Sequence, residues 1–453
     1  MKVTKSLLLG AAAGFVVMSG AQAADLPVKA KAVEYVKICS AYGAGFYYIP
    51  GTDICLRVGG FVRVDYNHNN NESFPYITAQ DVGSQSHWMD RRQHTHEFHT
   101  RVNAIFDARQ NTAYGTLRAY FNTGWNFSTA GSASNVTTAT AAHANQGFIQ
   151  WAGFTFGRAA SFFDFYGSTG PHANLVNWGG QTTGAGGHNV LAYTAQFGNG
   201  VSGTISLEDP RHKGITPSGN LQTGLGMPTT VPLFNVRAGQ NVPGVVGNLR
   251  VDQAWGSAQI MGAVQELRTI EGTSGMSIST YGYAVGGGFT WNNPSAPGSQ
   301  FGIQASWAVG AGHYTTSSYV AHFMFDQAST TTGSIGTLLD GVIVGTSLEK
   351  TKAWGVNAGY QHRFSPNWAA TLHGAYNAVD YNATVNAAVA NCGGDCDFSF
   401  WSLGTRLLWT PVPGLDFGLD LLYHTFESMN GVTAGLMGSR DVWASQLRVI
   451  RNF

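Results

Sequence analysis

Along most of this chain, polar and apolar residues change places at every second position. In TKAWGVNAGYQHRF, residues 351–364, one phase holds Trp354, Val356, Ala358, Tyr360 and Phe364, and the other Gly355, Asn357, Gly359, Gln361 and Arg363. GLDFGLDLLYHTF sets Leu415, Phe417, Leu419, Leu421 and Tyr423 against Asp416, Gly418, Asp420 and His424, and NWAATLHGAY sets Trp368, Ala370, Leu372 and Tyr376 against Thr371, His373 and Asn377. A period of two belongs to β-strands, whose successive side chains point to opposite faces. Beyond residue 23, helical periodicity is nearly absent. About sixteen segments of this kind are predicted, near 55–67, 94–109, 112–127, 143–151, 154–161, 188–197, 200–209, 247–256, 257–269, 279–292, 300–312, 351–364, 367–380, 398–410, 414–427 and 442–453.

The links between these segments carry a second pattern. Links such as QN, AG, GN, SPN and PVPG alternate with long ones at 68–93, 162–187, 210–246, 313–350 and 381–397. That parity predicts an antiparallel meander whose short turns lie at one end, with both chain termini, and whose loops lie at the other.

A soluble β-sandwich also alternates, so the positions of the aromatics decide between the two. Trp354 and Phe364 bracket one apolar stripe, and Trp401 and Trp409 bracket Leu403, Thr405 and Leu407. Rings at both ends of a strand suit a hydrocarbon band with two interfaces. Lipid offers nothing to an open sheet edge, so the strands are expected to close into a transmembrane antiparallel β-barrel. At sixteen strands the lumen is too wide for side chains to fill, which implies a water-filled pore.

Composition sharpens this picture. Charged residues make up only 11%, aromatics 12%, and Gly numbers 59 against 14 Pro, far from a disordered or collagen-like chain. The opening MKVTKSLLLGAAAGFVVMSGAQA has Lys2 and Lys5, an apolar run and a small Ala21-Gln22-Ala23 ending, so residues 1–23 are expected to be a signal peptide. Residues 24–54 then form a periplasmic N-terminal segment leading into the first strand, and 55–453 the barrel. Without Lys2 and Lys5 the chain has two more acids than bases, which suggests no nucleic-acid partner. No later run of 18 apolar residues marks a membrane helix.

Four cysteines in an exported chain point to disulfides, and the expected pairs are Cys39 with Cys55 and Cys392 with Cys396. CGGDC has a metal-like spacing, but it sits in a Gly- and Asn-rich loop without partner thiols and is read as a loop staple.

The candidate chemistry lies on the inward phase. Arg63, Arg101 and Arg118, with Arg57 below, are expected on one patch of wall at mid-height, where guanidiniums would attract anions. The competing expectation is local pairing with Asp65, Glu97 and Asp107. The third long link, SFFDFYGSTGPHANLVNWGGQTTGAGG, opens with Phe162, Phe163, Phe165 and Tyr166, which gain little in water. Folding 162–187 into the barrel would bury them and bring Asp164 to face the arginines; the alternative is that they merely extend the strand. In HTHEFH, His94 and His96 share a face but His99 does not, and no further ligand completes a metal set. No nucleophile elbow, phosphate loop or zinc-protease helix occurs, so neither catalysis nor a cofactor is expected.

EYVKICSAYGAGFYYIPGTDICLRVGGFVRVDY resembles the N-terminal signature of the general diffusion porins of alphaproteobacteria, with its cysteine, YGAG and IPGT turns and second cysteine. GFIQWAGFTFGRAASFFDFY resembles that family's fourth and fifth strands leading into the third loop, and QLRVIRNF its ending. The resemblance implies a sixteen-stranded barrel in the cell outer membrane, a homotrimer, passing small hydrophilic solutes and ions passively. It also implies a constriction between acids on the inward third loop and a basic wall. Carried over by position, Asp164 is the loop acid and Arg63, Arg101 and Arg118 the wall. One loop acid is fewer than such a field usually has, which argues against strong cation selectivity. A substrate-specific channel would line its lumen with aromatics, and a barrel-based outer-membrane enzyme would need a Ser/His or Asp/His pair at the rim.

Phe453 shares its phase with Val449, Leu447 and Trp443, so its ring is expected to anchor the last strand at the lipid interface. In the resembling family a terminal Phe is also the signal read by the outer-membrane assembly machinery. Arg451 takes the same outward phase, where it would snorkel to lipid headgroups or pair across a subunit contact.

Overall fold

The computed structural model describes residues 37–68, 96–128, 131–132, 135–136, 139–165, 187–209, 214–218, 237–270, 277–316, 339–389, 394–427 and 441–453. Within them sixteen long strands form one antiparallel sheet: β1 Cys55–His68, β2 His96–Thr112, β3 Gly115–Ser128, β4 Ala139–Trp151, β5 Phe154–Ala159, β6 His188–Gly198, β7 Val201–Glu208, β8 Gly244–Gln253, β9 Gly256–Arg268, β10 Ser279–Asn292, β11 Gln300–Val309, β12 Lys352–Ser365, β13 Trp368–Asp380, β14 Phe398–Val412, β15 Leu415–Glu427 and β16 Asp441–Asn452. Each pairs with its sequence neighbour, and β16 pairs with β1 from Phe61↔Asn452 to His68↔Ser445, so the sheet closes into a barrel. Segments and count agree with the alternation pattern.

The short turns, the residues leading into β1 and the C-terminal Phe453 share one end of the barrel. The β6–β7 turn holds Asn199 and Gly200 at φ 50 and 73. Two successive left-handed residues match the strand twist, and Asn and Gly adopt them most readily. The long links leave from the opposite end.

The outer surface, not the interior, carries most of the large apolar side chains. Val58, Val62, Val64 and Tyr66 of β1 are exposed while Arg63, Asp65 and Asn67 between them are buried. This inverted pattern is stable only where lipid is the outer solvent. Aromatic rings concentrate at both ends. Trp368, Trp409 and Phe417 make a cluster at the turn end, with centroids 5.8 and 5.2 Å apart, and Trp401, Tyr423 and Trp443 another at the loop end, at 5.3 and 5.0 Å. Trp401 and Trp409 are eight residues apart on β14, roughly 26 Å along the strand at 3.3 Å per residue.

The segment before β1 is joined to it by the Cys39–Cys55 disulfide, Cα–Cα 5.9 Å, and adds the short strand Tyr47–Tyr48 to its edge. Its Phe46 ring lies against the inward-facing Arg57 and Arg109, 5.7 and 4.9 Å away. Cys396 is also disulfide-bonded; Cys392, its expected partner, lies outside the described residues, as do 1–23, His94 and 166–186.

Candidate constriction site

One stretch of inner wall is charged and tightly packed. Asp65 on β1 is fully buried and lies opposite Arg448 of β16 in register. Arg448 donates to its two carboxylate oxygens through Nε and Nη2, at 2.5 and 2.9 Å, while Arg63 Nε stands 2.8 Å from Oδ2 and His99 Nδ1 3.3 Å from it. Bidentate, charge-assisted pairing of this kind fixes direction as well as distance. One strand pair further, Arg406 of β14 is in register with the fully buried Asp420 of β15 and donates to Gln361 at 3.0 Å. On the other flank Arg101 lies 2.9 Å from His143, which contacts Asn103 at 3.0 Å. Among the side chains described here, Arg63, Arg101, Arg406 and Arg448 meet two carboxylates, Asp65 and Asp420, so the wall keeps a positive excess.

Eight strands away the inner wall is built differently. Three cross-strand rows run over β8, β9, β10 and β11: Val246, Ala263, Ala284 and Ala308; then Asn248, Met261, Gly286 and Ser306; then Arg250, Gln259, Gly288 and Gln304. The first is apolar, and the next two have glycine at the β10 position. Glycine inside a strand marks close approach by something else. That something is the chain after β5. The Phe163 ring is buried on the first row and against Gly286, and the Phe165 ring lies on Gly288, where an added Cβ would come within 2.2 Å of it.

Polar groups fix the same residues. Glu208, itself buried, accepts from Ser161 Oγ at 2.6 Å, from the Phe162 N–H at 2.9 Å and contacts His188 Nε2 at 2.5 Å. The Phe162 carbonyl accepts from Asn248 and Gln259 at 2.6 and 3.3 Å, and the Phe165 N–H donates to Gln304 at 3.0 Å. Arg250 stacks on the Phe165 ring at 5.0 Å. Residues 161–165 are thus held against the inner wall, with Asp164 between two docked rings. Ser161, His188 and Glu208 come together, yet the hydroxyl donates to the carboxylate and not to an imidazole, so nothing here activates a nucleophile.

Arg118 departs from the sequence expectation. Its register partner on β2 is Arg109, eight residues below Arg101, so it lies roughly 26 Å along the strand from the Arg63–Arg101 pair. Arg118 is the fourth residue of β3, close to the β2–β3 turn, whereas Arg101 stands eleven residues before the end of β2. Arg118 instead pairs with Asp107 at 2.9 and 3.0 Å and stacks on Tyr120 and Phe148 at 4.8 and 5.3 Å. Arg63 and Arg118 both follow the competing expectation of local pairing. The side chain of Glu97 lies outside the described ones.

A family model described as the porin subfamily matches residues 25–444. The chain belongs to that family. Porin Omp2b of Brucella suis biovar 1 is 34% identical over 266 residues, which cover 56% of this porin and 63% of the relative. Porin Omp2a of Brucella ovis is 33% identical over 220 residues, 45% of this chain and 59% of that one. The porin therefore spans about three fifths of the length of these curated relatives. Among solved structures, the outer membrane channel DcaP of Acinetobacter baumannii superposes with a TM-score of 0.59 at 16% identity, covering 90% of this chain and 99% of that one. The barrel fold and the outer-membrane location follow from family and architecture together.

Several residues of the porin's inner wall escaped the sequence reading. Arg406, Arg448 and Asp420 sit on the inward phase of strands whose alternation is plain, so continuing that phase to the last three strands would have found them. Gly286 and Gly288 stand in YAVGGGFTW, where two inward glycines on one strand signal a docking surface. Phe453 is two-thirds exposed, and its backbone N–H and carbonyl both bond to Gly60 at 3.0 Å. Arg451 donates to the Pro413 carbonyl in the β14–β15 turn at 2.8 Å, a partner not foreseen.

Proposed function

We propose that the porin is a water-filled passive diffusion channel for small hydrophilic solutes and ions, without catalysis or cofactor. Its narrowest point lies between the third loop, 162–187, and the wall carrying Arg63, Arg101, Arg406 and Arg448. The observation that carries this reading is the opposition of two inner walls eight strands apart, one receiving the root of the loop and one keeping a positive excess. Asp164 is the loop's acid in this field, and Arg118 acts lower, near the periplasmic mouth. With more guanidiniums than carboxylates facing the lumen, the channel favours anions.

The apolar belt is solvated by outer-membrane lipids. Assembly as a homotrimer, and delivery through the outer-membrane assembly machinery reading Phe453, rest on the family resemblance. Residues 1–23 act as the exported chain's signal peptide and 24–54 as its periplasmic segment.

Purified protein added to a planar bilayer is expected to give ion-permeable steps, and in a salt gradient a reversal potential on the anion side. Neutralising Arg63, Arg101 and Arg448 together moves that potential toward cations. Protein that inserts without conducting refutes the channel reading, and an unmoved potential removes these residues from the constriction. Deleting Phe453 lowers the amount recovered in the outer-membrane fraction.

A second reading, a channel with some substrate preference, draws on Tyr120 and Phe148, which stack inside the lumen with centroids 4.9 Å apart beside Arg118. Saturable flux of a small aromatic anion, lost in Tyr120→Ala, would support it, and linear flux would exclude it.

A further inference from the structure

The chain turns inward a second time. After β11, residues 310–316 bend into the barrel, and 311 to 316 are all buried. Ser306 Oγ on the second wall row donates to the Tyr314 carbonyl at 2.7 Å, and Asn377 of β13 donates to the Thr315 carbonyl at 2.7 Å. Asp340 accepts from the Gly312 N–H at 3.1 Å, and the Gly310 N–H donates to the Thr351 carbonyl at 2.8 Å. These bonds tie a short segment, with its Gly312–Tyr314 turn of 3₁₀-helix, to the wall beside the docked loop.

The product of that arrangement is a ring contact between two loops. The Tyr314 ring lies 4.6 Å from that of Phe163, at 46°, and both side chains are fully buried. Gly286 and Met261 close around another side of the Phe163 ring. Phe163 is therefore gripped between the glycine-bearing wall and a residue 151 positions further along the chain. Burial, with Glu208, Asp164 and Asp340 around it, holds the Tyr314 phenol well above its usual range, so Tyr314 adds no charge of its own.

We propose that Tyr314 is a positioning residue of the constriction: by wedging Phe163 onto Gly286 of β10 it fixes where Asp164 stands in the lumen. The inference deepens the channel reading and rests on it for its meaning. A tilted pair of rings gains beyond simple burial, and a ring gripped on two sides has one resting place where a ring on an open wall has several. Without the wedge, Phe163 faces the lumen and the loop root moves.

Two measurements test it. In planar bilayers, Tyr314→Ala is expected to raise open-channel current noise several-fold and to change single-channel conductance, while Tyr314→Phe, which keeps the ring, behaves as the unaltered protein. Independently of conductance, a single cysteine placed at Asp164 is expected to react several-fold faster with a charged thiol reagent when Tyr314 is Ala. In a Phe163→Ala background, Tyr314→Ala should add nothing to either effect, because its partner is gone. If the Ala protein does not fold, Tyr314→Leu, which keeps apolar bulk but not the ring, is expected to fall between Ala and Phe in the labelling assay. Equal labelling rates and equal noise across the series overturn the proposal. An unaltered protein that never conducts but shows the labelling difference refutes the channel reading and leaves the wedge standing.

Discussion

The two inner walls solve opposite problems. On β14, β15, β16 and β1 the inward side chains are large and charged: Arg448, Arg63 and His99 converge on Asp65, and Arg406 lies opposite Asp420 in register. In the three rows over β8 to β11, Arg250 apart, they are uncharged, many of them small, apolar or amide-bearing, and chain arriving from elsewhere packs on them. A wall whose arginines outnumber its carboxylates leaves its residual charge to the lumen, whereas a wall of small residues leaves room that another part of the chain fills. The contrast teaches that a pore's narrowing need not be encoded by its narrowest residues. The shelf that receives them is as specific as they are.

Changes that touch only one wall should separate these roles. The largest effect is expected from Asp65→Ala, which leaves Arg63, Arg448 and His99 converging on nothing; removing one partner of a buried pair costs on the order of 3–5 kcal/mol. A fall in the temperature at which the barrel unfolds, seen by gel mobility, together with a shift toward anions, checks it. An unchanged transition would mean that water already shares that site. Next comes Gly288→Ala, whose new Cβ meets the Phe165 ring at 2.2 Å. Overpacking of this kind costs about 1–3 kcal/mol, and here the loop moves more easily than the wall. Conductance should change with little loss of barrel stability, and Gly147→Ala, where a Cβ meets nothing within 4 Å, should alter neither.

Smaller still is the difference between Arg448→Gln and Arg118→Gln. Both remove one guanidinium, but the reversal potential should move less for Arg118, which lies far down the wall beside Asp107 and shares it with Arg109. Equal shifts would place the narrowest point lower than proposed. Arg451→Ala should be nearly silent, since it removes an exposed donor to a turn carbonyl on neither wall. A marked loss of trimer on gel electrophoresis would instead put Arg451 at a subunit contact.

The strands were legible because lipid acts on one face of every strand and so enforces the alternation directly. Trp354, Trp401 and Trp409 marked the interfaces for the same reason. What the sequence did not display was height. Arg63, Arg101 and Arg118 each look central in the predicted segments, yet the β2–β3 turn falls close to Arg118 and far from Arg101. Nor does sequence announce partners across the seam: Asp65 and Arg448 are 383 residues apart. The cost of Phe163 and Phe165 in water is visible in the sequence, but their seat on Gly286 and Gly288, and the second inward segment around Tyr314, depend on contacts between distant parts of the chain that no local pattern records.

The seam between β1 and β16 has a further consequence, for time rather than space. Until the last strand exists, β1 carries from Phe61 to His68 an edge that only β16 is registered to meet. Contacts this distant form slowly, and an open strand edge is a template for any other chain that passes. The same ion pair that tightens the finished wall is therefore among the last to form. Until it closes, that edge is open to the same strand of another copy.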